Sequence, residues 1–102
     1  MLTQFRTYNL AVQFHHACRA AKMPGYLRTQ LLRASSSIAL NLAEGSGKPS
    51  ARDQLRFYSI AMGSLRECQA ALDLAPVRHP SLVNMADHLG ASLYRLCNRS
   101  PG

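Results

Sequence analysis

The run Leu32-Arg33-Ala34-Ser35-Ser36-Ser37-Ile38-Ala39-Leu40-Asn41-Leu42-Ala43-Glu44-Gly45 decides the fold. Its apolar residues Ala34, Ile38 and Leu42, continued backwards by Leu31 and Leu27, recur every three or four positions. That is the period of one face of an α-helix, so these side chains form a single stripe. Arg33, Ser37, Asn41 and Glu44 are spaced by four, four and three and share a second, polar face beside it. Leu32 and Leu40 fall off the stripe. A helix apolar on several sides is central in its bundle or lies against another subunit.

Outward from this run, three short breaks divide the chain: Met23-Pro24-Gly25, Gly45-Ser46-Gly47-Lys48-Pro49, and the segment from Pro76 to Pro80. Helices are expected over residues 5–22, 26–44, 51–75 and 81–97. The first carries Leu10, Phe14, Ala17 and Ala21 on its apolar side, widened by Val12 and Cys18. The third carries Tyr58, Ala61, Leu65, Cys68, Leu72 and Ala75, and the fourth Leu82, Met85, Ala86, Leu89, Leu93 and Leu96. Ser50 followed by Asp53 has the spacing of an N-terminal cap. Connections this short force antiparallel neighbours, so the expected fold is all-α: an antiparallel up-down four-helix bundle in a single domain, 1–102.

Twelve Lys and Arg against five Asp and Glu give a formal charge of +7. Residues 1–51 hold six basic residues and one acid, a net of +5, and residues 52–102 hold six and four, a net of +2. Such an excess steers anionic partners. Arg19, Lys22, Arg28, Lys48 and Arg52, at or near helix ends, are the candidate contacts to nucleic-acid phosphates. Few aromatic residues accompany them, which argues against a base-stacking track. The first residues have no apolar run of signal-peptide length, and no stretch of about 18 apolar residues suggests a membrane span. The expected location is a reducing cytoplasm, where Cys18, Cys68 and Cys97 are free thiols.

The polar face of the second helix has a counterpart on the third: Arg52, Arg56, Gly63, Ser64 and Glu67. Folding the two about their short loop brings Glu44 towards Arg52 or Arg56, Asn41 towards Arg56, and Arg33 towards Ser64 or Glu67. The expected result is a structural network of Arg33, Ser37, Asn41, Glu44, Arg56, Ser64 and Glu67. Removing Glu44 would then strand a partly buried arginine. Gly45-Ser46-Gly47-Lys48-Pro49 lacks the spacing of a phosphate-binding loop, with Leu42 where a glycine is required and Pro49 after the lysine. Adjacent His15 and His16 point about 100° apart on a helix and do not share a metal ion. No nucleophile with its base is spaced for catalysis. The expectation is therefore no enzyme, no cofactor and no metal.

The run from Leu32 to Gly45, followed by Arg56-Phe57-Tyr58-Ser59-Ile60-Ala61-Met62-Gly63-Ser64-Leu65-Arg66-Glu67, resembles the bacterial four-helix-bundle protein family. That family includes proteins encoded in intervening sequences of large-subunit ribosomal RNA genes and the accessory variability determinant of diversity-generating retroelements. The resemblance covers most of the chain and is strongest from Leu27 to Ala75. It implies a barrel-like homopentamer and, in the retroelement branch, a basic surface that binds nucleic acid and a partner reverse transcriptase. The expected function is thus a non-enzymatic, homo-oligomeric basic scaffold that binds structured DNA or RNA. The alternative is a structural, protein-interaction module with no nucleic-acid affinity.

Overall fold

The computed structural model describes residues 2–99. A short 3-10 turn, Leu2–Gln4, precedes four helices: α1 (Arg6–Ala20), α2 (Gly25–Ser46), α3 (Ala51–Leu74) and α4 (Pro80–Cys97). Each packs on the next, and α4 closes the bundle against α1. The helix ends follow local chemistry. Ser50 caps α3, its Oγ accepting the Asp53 N–H at 3.1 Å, and Asp53 adds negative charge to the positive end of the helix. Pro80 is the first residue of α4, one earlier than expected. A proline there gives up only an N–H that has no helical partner anyway.

Interhelical contacts fix the directions. Ser37 touches Ser64, while Gly45, further along α2, meets Tyr58, earlier in α3. The two helices therefore run antiparallel. Thr7 at the start of α1 bonds Ser92 late in α4, and Phe5 packs at a tilt against Tyr58 with ring centroids 6.1 Å apart. One end of the bundle thus gathers the end of α1, the start of α2, the end of α3 and the start of α4. The other gathers the 3-10 turn, the start of α1, the α2–α3 loop and the end of α4.

The stripes expected on α2, α3 and α4 form the core. Leu31, Ile38, Leu42, Leu65, Leu89 and Leu93 are almost fully enclosed. Ala75, Met85 and Leu96 lie at its margin. On α1 the buried side is rotated from the one expected. Thr7, Ala11, Phe14 and Cys18 are buried, whereas Leu10 and Ala17 are half-buried. The cause is Thr7, whose hydroxyl meets Ser92 Oγ at 2.6 Å and so enters the core with its polar atom satisfied.

Gly45 is where α2 and α3 come closest. A Cβ there would stand 2.7 Å from Tyr58 Cε1 and 3.0 Å from Phe57 Cβ. The Tyr58 ring has little room to retreat, because it is buried against Phe5 and the core. Gly45→Ala is expected to destabilise the fold by about 1–3 kcal/mol through overpacking, read as a lower urea midpoint with an unchanged m-value.

Candidate nucleic-acid interface

The polar face of α2 meets α3 one helical turn away from the expected register. Ser64 bonds Ser37 at 2.8 Å, not Arg33, and Asn41 donates to the Ser37 carbonyl and hydroxyl, not towards Arg56. Glu44 pairs with Lys48, four residues on in the α2–α3 loop, at 3.2 Å, not with Arg52 or Arg56. Arg33 donates to Gln30 at 3.0 Å, and Arg56 lies over the Phe57 ring at 4.9 Å. Glu67 is exposed. What the fold brings together is a hydroxyl–amide cluster of Ser37, Asn41 and Ser64. The charged members, Arg33, Glu44, Arg56 and Glu67, stay at the surface. The register differs because it is set by the contact of Gly45 with Tyr58, which slides α3 along α2.

The candidate phosphate contacts separate into two groups. Arg19, Lys22 and Arg28 lie at the α1–α2 end, and Lys48 and Arg52 at the opposite end. The 22 residues of α2 put ~33 Å between them. Arg19, Lys22 and Arg52 are exposed and make no ion pair among the described residues. Lys48 is shared between Glu44 and the Phe57 ring, 5.3 Å from its centroid. Arg28 is turned inward. Its guanidinium donates to the Ala21 carbonyl at 2.6 Å and the Arg19 carbonyl at 2.7 Å. It thereby satisfies carbonyls that the end of α1 leaves without helical partners.

That capping role carries no local sequence signal, because Arg28 belongs to α2 and not to the last turn of α1 where a capping cation is usually found. Sequence reasoning also passed over Arg6, Arg95 and Arg99. Up-down topology carries the start of α1 and the end of α4 to the same end as Lys48 and Arg52. These arginines therefore add to the second cationic group.

The thiols and imidazoles are interior or unassembled. Burial pushes Cys18 and Cys68 up to about 12, so both stay protonated. His15 Nδ1 and Ser35 Oγ are 2.8 Å apart. Burial, helped by the charges of His16 and Arg19, holds the His15 imidazole below the 6.5 of a free one. Among the described residues no group of three His, Cys, Asp or Glu side chains converges, and no helix is long and apolar enough to cross a membrane.

Three outcomes follow from these geometries. Glu44→Ala is expected to cost under about 1 kcal/mol, because its pair is exposed, with a thermal midpoint close to that of the parent. Arg28→Met strands two carbonyls and is expected to cost about 1–3 kcal/mol in urea unfolding. For His15 the folded state binds its proton less readily than the unfolded chain. Stability should therefore fall as pH drops below 6.5 and level off beneath the folded pKa, and His15→Gln should flatten that decline.

No curated protein and no solved structure matches the chain. The family described as 23S rRNA-intervening sequence protein matches residues 3–98. With the four-helix architecture and both signature blocks inside that span, the chain belongs to the 23S rRNA-intervening sequence protein family.

Proposed function

We propose that the chain is a non-enzymatic, homo-oligomeric basic scaffold that binds structured nucleic acid through backbone phosphates, as an accessory to a reverse transcriptase or another nucleic-acid enzyme. The observation that carries this reading is the exposure of Arg19, Lys22 and Arg52 without a carboxylate partner among the described residues, at both ends of an elongated bundle. A helical bundle fixes the spacing of the helix ends, so these cations can meet phosphates in a set register. Copies packed side by side would turn each end into a ring of positive charge.

A self-associating face is supported by side chains the single bundle does not use. Leu40 is 68% exposed and Ile60 47%. Gly63 sits mid-helix at a disadvantage of about 1 kcal/mol relative to Ala, yet a Cβ there would meet nothing within 4 Å. Another helix approaching closely would account for it. Exposed Arg33 and Glu67 flank the same face with opposite charges. The family resemblance suggests five copies. The same face favours the alternative, a protein-interaction module without nucleic-acid affinity.

Two variant sets separate these readings. Arg19→Gln with Lys22→Gln, and separately Lys48→Gln with Arg52→Gln, should each weaken binding to structured RNA or duplex DNA by similar factors for unrelated sequences. Unchanged affinity in both would leave the interaction module. Gly63→Arg should yield smaller species by sedimentation while the far-UV spectrum stays helical. An unaltered sedimentation coefficient would remove this face from the assembly.

A further inference from the structure

The second end of the bundle holds a cleft that neither the core nor the charged rim explains. Between the start of α3 and the end of α4 lies a cavity of about 350 Å³, walled by Leu55, Leu96 and Tyr58, with Arg52, Gln54 and Arg99 around it. It adjoins a second recess of about 490 Å³, and the two share Gln54, Tyr58, Leu96 and Arg99. The volume lies in the range of small-molecule sites, and the pattern is also theirs: apolar walls with a few convergent polar groups.

The geometry points to a binding site for a nucleoside monophosphate unit, its base between the Leu55 and Leu96 walls and its phosphate against Arg52 and Arg99. This deepens the nucleic-acid reading and rests on it for the ligand class. Among the described residues no carboxylate lines either recess, so their local charge favours an anion. Two guanidiniums suit a phosphate, which they can grip through paired N–H donors. Bare phosphate would leave the apolar walls unused. A fatty carboxylate would press Gln54 and the Tyr58 hydroxyl against hydrocarbon, at the cost of unpaired polar groups. A heterocycle uses both. Gln54 Nε2 donates to the Lys48 carbonyl at 3.3 Å, which fixes the amide and leaves Oε1 open to accept from an exocyclic amine. Burial raises the Tyr58 phenol above its ordinary range, so it stays protonated and able to donate.

The test uses the full chain, ¹⁵N-labelled, titrated with adenosine 5′-monophosphate, adenosine and inorganic phosphate. The monophosphate should shift the amides of Gln54, Leu55, Leu96 and Cys97 and bind at least about tenfold more tightly than either half alone. Arg52→Gln and Arg99→Gln should each weaken it by about tenfold, the loss of one charge-assisted contact. Ala51→Trp, at an exposed position on the edge of the cleft, should block the titration while the melting temperature stays put. A tetranucleotide with and without a 5′-phosphate identifies the source. Tighter binding of the phosphorylated strand than of the mononucleotide supports recognition of a strand end, and the reverse order supports a free nucleotide. Equal affinity for inorganic phosphate, or shifts untouched by Ala51→Trp, overturns the proposal. Absence of mononucleotide binding alongside intact RNA binding also overturns it, while the scaffold reading stands. Mononucleotide binding without RNA binding supports the cleft and removes the scaffold.

Discussion

The contact of Gly45 with the Tyr58 ring is the constraint on which the rest of the bundle depends. It lets the end of α2 lie directly on the start of α3, and that seat fixes how far the two helices slide past each other. The slide decides every polar partnership between them. Ser37 finds Ser64, Asn41 closes back on Ser37, and the charged residues of the same faces are left outside. Phe5 then packs on Tyr58 and draws the start of α1 into the same knot.

The consequence is a division between a neutral interior and a charged periphery. Small hydroxyls satisfy one another across α2–α3 and α1–α4 without burying a charge, which avoids the desolvation cost of an interior ion pair. Arginines find their partners outside that interior, Arg33 and Arg56 at the surface and Arg28 half-buried against the end of α1. Their partners are backbone carbonyls for Arg28, an aromatic ring for Arg56 and a neighbouring amide for Arg33. Arg19, Lys22 and Arg52, at the two ends, are exposed and make no ion pair among the described residues. That follows from how the core solved its packing as much as from the overall charge of +7.

The fold was legible because it depends on periodicity, and the stripes of α2, α3 and α4 are repeated over several turns. Ser50 and Pro80 mark helix starts by chemistry that acts within one turn. On α1 Phe14 and Cys18 are buried and Leu10, Ala17 and Ala21 pack against the core as the spacing suggests, while Thr7 joins them unforeseen because Ser92 satisfies its hydroxyl. Ser37, Asn41 and Ser64 meet as the spacing suggests, whereas the charged members of the polar network do not. Loop length gives the direction of α3, but its register is set by a glycine–tyrosine contact that spacing does not encode. The cleft at the second end was invisible for a third reason: Leu2, Phe5, Gln54, Leu96 and Arg99 come from the turn, α3 and the end of the chain. Only the closed bundle makes them neighbours.

The chain shares the family's four-helix architecture, and the proposed chemistry is that of the two cationic ends and the outward α2–α3 face. Phosphate contact by those ends is the central claim. The most direct measurement is the affinity of the unmodified protein for structured RNA over a salt series. A linear fall of log affinity with log salt concentration, its slope reflecting several displaced counterions, is the predicted result. Affinity independent of salt, or no binding even at low ionic strength, would contradict it.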